Sequence, residues 1–113
     1  VKYYKLAADQ GDAATQSNLG NMYFNGQGVQ QDHVLAFKYY KLAADQGDVT
    51  AQYNLGVTYV EGQGVQEDPV LAAKYYKLAA DQGDPHAQCN LGGMYATGHG
   101  VQKTFALAAK YYK

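Results

Sequence analysis

The chain has 113 residues, 47% of them hydrophobic, and a formal net charge of −1. That is room for one small domain, with the apolar content of a folded protein rather than a disordered one. All nine basic residues are lysine, which excludes the basic footprint of a nucleic-acid binder, and no apolar run approaches the roughly 20 residues of a membrane span.

Cys89 is the single cysteine, so no intrachain disulfide forms and packing must hold the fold. This fits a reducing, cytoplasmic setting and leaves periplasmic or secreted placement open. There is no signal-peptide pattern and no Met at position 1, from which the chain is expected to be part of a longer one.

The stretch KYYKLAADQGD opens the chain at Lys2–Asp12 and returns unchanged at Lys38–Asp48 and Lys74–Asp84; KYYK begins again at Lys110. Glycines repeat in step, as Gly11, Gly47 and Gly83, or Gly26, Gly62 and Gly98. About 25 of 36 positions are identical between Lys2–Phe37 and Lys38–Ala73. A fixed period of this size means an array, in which each unit buries its apolar face against its neighbours.

Two helices are expected per unit, after a partial helix over 1–10. Helix A covers about 13–25, 49–61 and 85–97; helix B covers about 32–46, 68–82 and 104–113. In the second unit Asp48 caps helix A, and Ala51, Leu55 and Tyr59 recur at helical spacing. Gly62 ends that helix in the left-handed conformation. Asp68 caps helix B, with Pro69 at the first helical position, where its missing N–H costs nothing. Ala72, Tyr76 and Ala79 then form the buried stripe. Thr104 takes the place of Asp68 in the third unit. The expected fold is all-α, seven helices without a strand, in one array over 1–113 with units at about 12–47, 48–83 and 84–113.

These units resemble Sel-1-like repeats, relatives of tetratricopeptide repeats. The resemblance rests on AQYNLGVTYVEGQGV (Ala51–Val65), AQCNLGGMYATGHGV (Ala87–Val101) and the joining AAKYYKLAADQGD, and covers essentially the whole chain. It implies a right-handed α-solenoid that acts as a non-catalytic adaptor or scaffold, with A helices on the concave side and B helices on the convex side. Some family members carry a disulfide in each repeat; this chain has none.

The repeated motif is therefore read as scaffold. Tyr40 and Tyr76 are expected as core knobs, with Tyr39 and Tyr75 flanking them and Lys38, Lys41 and Asp45 on the wet face. Lys41 and Asp45 make an i, i+4 pair of a few tenths of a kcal/mol.

The three copies also act as an internal control. Gln16, Asn18, Leu19, Gly20 and Tyr23 keep their identity in every helix A. Ala14/Thr50/His86, Ser17/Tyr53/Cys89, Asn21/Val57/Gly93, Phe24/Val60/Ala96 and Asn25/Glu61/Thr97 drift, and their spacing traces one helical stripe. A partner surface is expected there, formed by Ser17, Asn21, Phe24, Asn25, Tyr53, Val57, Val60, Glu61, His86, Cys89 and Thr97. Apolar and aromatic anchors within polar edges make interface hot spots. Tyr53 stands out, because the other eleven tyrosines keep the 36-residue phase. The expected partner is a protein or peptide.

A tetratricopeptide-type carboxylate clamp is not expected: Asn21 and Asn54 match its asparagines, but Ser17, His86 and Asn90 stand where cations are needed. The constant Asn18, Asn54 and Asn90 are expected to bond neighbouring backbone. The loops NGQGV, EGQGV and TGHGV lack a Lys-Ser/Thr pair and do not follow strands, so they are no phosphate cradle. His86 and Cys89 share a helix face but lack the ligands of a closed zinc site. No nucleophile–base–orienter set stands out, so no enzyme activity, metal or cofactor is expected. The ends lack the polar capping units that solenoids need. Tyr3, Tyr4 and Leu6 open the chain without a preceding helix A, so end-to-end self-association is the alternative role.

Overall fold

The computed structural model describes residues 8–112. Among them are six helices and no strand. The A helices are α1 (Ala13–Asn25), α3 (Val49–Glu61) and α5 (Pro85–Thr97). The B helices are α2 (His33–Asp45), α4 (Pro69–Asp81) and α6 (Phe105–Tyr112). The A helices match the expected bounds, and the B helices differ by a residue at their starts and ends. Ala8 and Asp9 are helical; the expectation for residues 1–7, Tyr3, Tyr4 and Leu6 included, lies outside the described residues. Each helix packs chiefly on the helices before and after it, and the body measures 47 × 24 × 18 Å. This is an α-solenoid: its contacts are between neighbours, as the period demands.

The DQGD turn shows how the sequence sets the joint between units. Gln46 ends α2, and Gly47 follows at φ 93°. The Gly47 N–H donates to the Ala44 carbonyl and the Asp48 N–H to the Ala43 carbonyl, which closes a Schellman motif. The side chain of Asp48 then accepts from the Ala51 N–H at 2.8 Å and starts α3. One residue thus finishes one helix and caps the next. Asp84 repeats this with Ala87. At the A-to-B loops, Asp32 caps Leu35 and Asp68 caps Val70 and Leu71. Asp12 differs: its carboxylate takes the Thr15 hydroxyl instead of a backbone N–H.

The main core cluster runs from Ala36 to Tyr111 and is built from small alanines, Leu55 and Leu91 of the A helices, Met94 and large tyrosines. Leu55 and Leu91 have no exposed surface within it, and Leu19 has none in a smaller cluster beside it. The alanine stripe of α4, Ala72, Tyr76 and Ala79, is buried as expected. Tyr39 and Tyr75 do more than flank it: they are 2% and 4% exposed. Their rings stack on the A-helix tyrosines, Tyr23 on Tyr39 and Tyr59 on Tyr75, both at 5.9 Å. A lysine ammonium covers each from outside, Lys38 at 5.3 Å and Lys74 at 5.2 Å. Lys41 and Asp45 pair at 2.8 Å on the wet face, a contact that contributes little in water.

Polar joints run through the same core. Gln16 and Gln52 are each 3% exposed. Gln52 Nε2 donates to the Ala44 carbonyl at the end of α2. Its Oε1 accepts from Gln82, which follows α4, at 2.8 Å. Gln16 does the same with the Ala8 carbonyl and Gln46. Each buried amide thus has partners on both sides, as a low-dielectric interior requires.

The constant glycine of each A helix is explained by the constant tyrosine of the following B helix. A Cβ at Gly20 would lie 2.7 Å from the Tyr40 ring, and one at Gly56 2.7 Å from the Tyr76 ring. No methyl fits, so the tyrosine lies directly on the helix backbone. Gly56→Ala should lower unfolding stability by about 1–3 kcal/mol, the usual cost of overpacking. At Gly93 a Cβ meets only the Tyr112 hydroxyl, at 3.4 Å. Gly93→Ala should be neutral or gain up to ~1 kcal/mol from helix propensity. Urea unfolding of both variants checks the pair; equal effects would contradict the packing described.

Candidate functional site

Two clefts open between successive A helices. The first, about 260 Å³, lies among Asn21, Phe24 and Asn25 of α1, Tyr40 of α2, and Tyr53, Asn54 and Val57 of α3. The second, about 430 Å³, lies among Val60 of α3, Tyr76 of α4, Cys89, Asn90, Gly93, Met94 and Thr97 of α5, and His99. Gly93 occupies the position of Asn21 and Val57 in the units before it, and leaves space there.

The drifting stripe of the sequence is divided by these clefts. The first gathers Asn21, Phe24, Asn25, Tyr53 and Val57; the second gathers Val60, Cys89 and Thr97. His86 is exposed and sets its ring 5.9 Å from that of Tyr53. Glu61 is exposed and lines neither cleft. Ser17 is only 4% exposed, and its hydroxyl has no hydrogen-bond partner among the described residues. The Thr97 hydroxyl turns back to the Gly93 carbonyl of its own helix at 3.0 Å.

The floor of each cleft comes from residues that never vary. Tyr40 and Tyr76 pass from helix B beneath helix A, over Gly20 and Gly56, and both line the clefts. The Tyr40 hydroxyl donates to Asn21 Oδ1 at 2.5 Å, and Asn54 Nδ2 donates to the same oxygen at 3.2 Å. In the second cleft the constant Asn90 and Tyr76 share the lining. This corrects the expectation for Asn54, whose side-chain amide bonds the Asn21 side chain of the preceding A helix rather than neighbouring backbone. The aromatic walls are Phe24, edge-on to His33 at 4.8 Å, and Tyr53, tilted against Tyr76 at 5.8 Å.

Sequence reasoning missed Tyr40, Asn54, Tyr76, Asn90, Met94 and His99. The sequence reading takes Tyr40 and Tyr76 as core knobs, and Asn54 and Asn90 as partners of neighbouring backbone. The available signal was position: Asn54 follows Tyr53 and stands three residues before Val57, on the side of the helix that the drifting stripe occupies.

The clefts are nearly uncharged. Neither is lined by Lys, Asp or Glu, and His99 is the only histidine in either lining. Among the described residues no three His, Cys, Asp or Glu side chains converge to hold a metal. No helix among them is long and apolar enough to cross a membrane.

Comparison with known proteins places this architecture. The model of the Sel1 repeat matches residues 1–12, 13–48, 49–84 and 85–113, and the chain belongs to the Sel1 repeat family. Repeats of this family are in general protein-interaction modules rather than catalysts. No relative matches among curated proteins. One similar solved structure is a protective antigen of uropathogenic Escherichia coli strains that displays an SLR fold, at 42% identity and a TM-score of 0.94, covering 97% of this chain. A Sel1 repeat protein from Oxalobacter formigenes is 36% identical with a TM-score of 0.88 over 91% of this chain. Cysteine-rich protein B of Helicobacter pylori is 26% identical with a TM-score of 0.73 over 97% of this chain and 84% of its own. The chain spans 24% of the first of these proteins and 41% of the second.

Burial raises the hydroxyls of both Tyr40 and Tyr76 to about 12, against about 10 in an unfolded chain. Below pH 10 both states hold these protons. Between about pH 10 and 12 the unfolded chain loses them first, so stability falls as pH rises through that window. A tyrosinate absorbance titration should show a late class ionising near pH 12, and Tyr76→Phe should remove one hydroxyl from it. Ionisation of every tyrosine together near pH 10, with helicity intact, would contradict the burial.

Proposed function

We propose that the chain is a non-catalytic adaptor module that binds an extended segment of a protein or peptide across the A-helix face, the concave side in tetratricopeptide-like solenoids. One observation carries this reading: the two clefts have invariant floors, and the residues around those floors change from unit to unit. Tyrosine and asparagine on the floor keep the shape, while Phe24, Tyr53, Val57, Val60, Cys89 and Thr97 give each cleft its own chemistry. An array needs that combination to read different side chains along one ligand. Half-buried aromatics such as Phe24 and Tyr53 are suited to carry most of the binding energy, with polar Asn25, Glu61 and His86 at the edge. The partner class is a protein or peptide; nothing in the clefts calls for a cofactor.

The test is a pull-down from native extract, with the array as bait beside a Phe24→Ala, Tyr53→Ala, Glu61→Lys variant of equal helicity by circular dichroism. The expected outcome is a protein retained by the array and lost, by tenfold or more, from the variant. Equal recovery by both baits would overturn the groove assignment. Recovery of the array's own parent chain alone would favour a stacking scaffold.

A further inference from the structure

The first cleft carries a feature that the second lacks. In the second, Gly93 stands at the position of Asn21 and brings no side chain to the constant Tyr76 and Asn90. In the first, Asn21 stands between the tyrosine and the constant asparagine. Its Oδ1 accepts from both Tyr40 and Asn54. Asn21 has its oxygen inward, leaving Nδ2 as a donor. Asn54 gives one of its two Nδ2 hydrogens to this contact and keeps Oδ1 as an acceptor. No hydrogen bond among the described residues uses either free atom.

Amide donors and an acceptor lining one cleft together with Phe24 and Tyr53 suit an amide group. A carboxylate offers only acceptors, would find no cation in this lining, and would leave Asn54 Oδ1 facing its charge. An ammonium offers only donors and would find no anion. A peptide unit offers one C=O and one N–H, and satisfies both. Resting on the adaptor reading above, we propose that Asn21 and Asn54 form a site for an internal main-chain peptide unit of an extended partner segment, with Asn21 Nδ2 donating to its carbonyl and Asn54 Oδ1 accepting from its N–H. Only this cleft contains the site, because Val57 and Gly93 replace Asn21 in the later units. It therefore sets the register of the ligand along the array.

The test begins with a displayed library of random dodecapeptides selected on the array. Selected sequences are then made with both termini blocked and scanned by single N-methylation and by alanine. The protein variant is Asn21→Val, which installs the residue that the next unit already carries at this position. Support would be blocked peptides that bind, lose at least tenfold in affinity on N-methylation of one particular bond, and lose about as much against Asn21→Val. Tyr53→Ala would also weaken them, without shifting the sensitive bond. Peptides that bind Asn21→Val and N-methylated forms as well as the originals would overturn the peptide-unit site and leave the adaptor reading standing. Loss tied to one Asn or Gln side chain, or to a free C-terminal carboxylate, would overturn it as well, by naming a different group in the cleft. Selection of no peptide above background would count against both the site and the adaptor reading.

Discussion

The structure depends on a tyrosine ring lying against a helix backbone that has no side chain. Tyr40 on Gly20 and Tyr76 on Gly56 bring helices A and B closer than any Cβ would allow. Tyr112 makes the same approach to Gly92. This contact fills the interior of a unit otherwise built largely of alanine. It also carries the tyrosine hydroxyl through to the opposite side of helix A. Packing and surface chemistry are therefore linked in one residue: the ring holds the unit together and the oxygen positions an asparagine in a cleft. Burial keeps that hydroxyl protonated, with its ionisation pushed to about 12, so it remains a neutral donor or acceptor under any ordinary condition.

The joints between units obey a second constraint, the need to satisfy backbone groups at helix ends. In the repeated KYYKLAADQGD each letter has a separable task. The first Tyr stacks on the A-helix tyrosine, and the second lies on glycine. The alanines let helices approach. Gln46 and Gln82 reach to the A-helix Gln16 and Gln52. Gly closes the helix, and Asp opens the next. The tyrosines, alanines, glutamine, glycine and final aspartate of the motif, engaged this way, have little freedom to vary. That accounts for exact repetition without any shared chemistry at an active centre.

Much of this was legible in the sequence. The 36-residue period, the aspartate caps and the left-handed glycines gave the helices to within a residue. These signals are local, and each rests on the backbone needs of a helix end. The family resemblance and the Sel1 repeat match agree with that reading. The candidate site was less legible. Drift among copies pointed to Asn21, Phe24, Tyr53 and Val57, which one cleft gathers. It also pointed to Ser17, which is buried. Drift marks freedom from a shared duty, and a buried position can be free of it too. Conversely Tyr40 and Asn54 were passed over because they are constant, although they form the floor. A residue that packs with its ring and bonds with its tip shows only the first role in a pattern of identities. The direction of Asn54, toward another side chain rather than the backbone, was not accessible from spacing at all.

The central claim is that one set of helix A residues builds the stack while another, beside it, faces a ligand. Tyr59 and Tyr53, both on α3, separate the two most directly. Tyr59 is 8% exposed, stacks on Tyr75 and meets Phe37 edge to face; Tyr53 is half-buried at the cleft. The measurement is urea unfolding of Tyr59→Ala and Tyr53→Ala at equal protein concentration. The account predicts a loss of about 3 kcal/mol or more for Tyr59→Ala, the range of large core truncations, and about 1 kcal/mol for Tyr53→Ala, nearer the effect of a partly exposed side chain. Equal losses would make Tyr53 a packing residue and remove the distinction on which the functional reading rests.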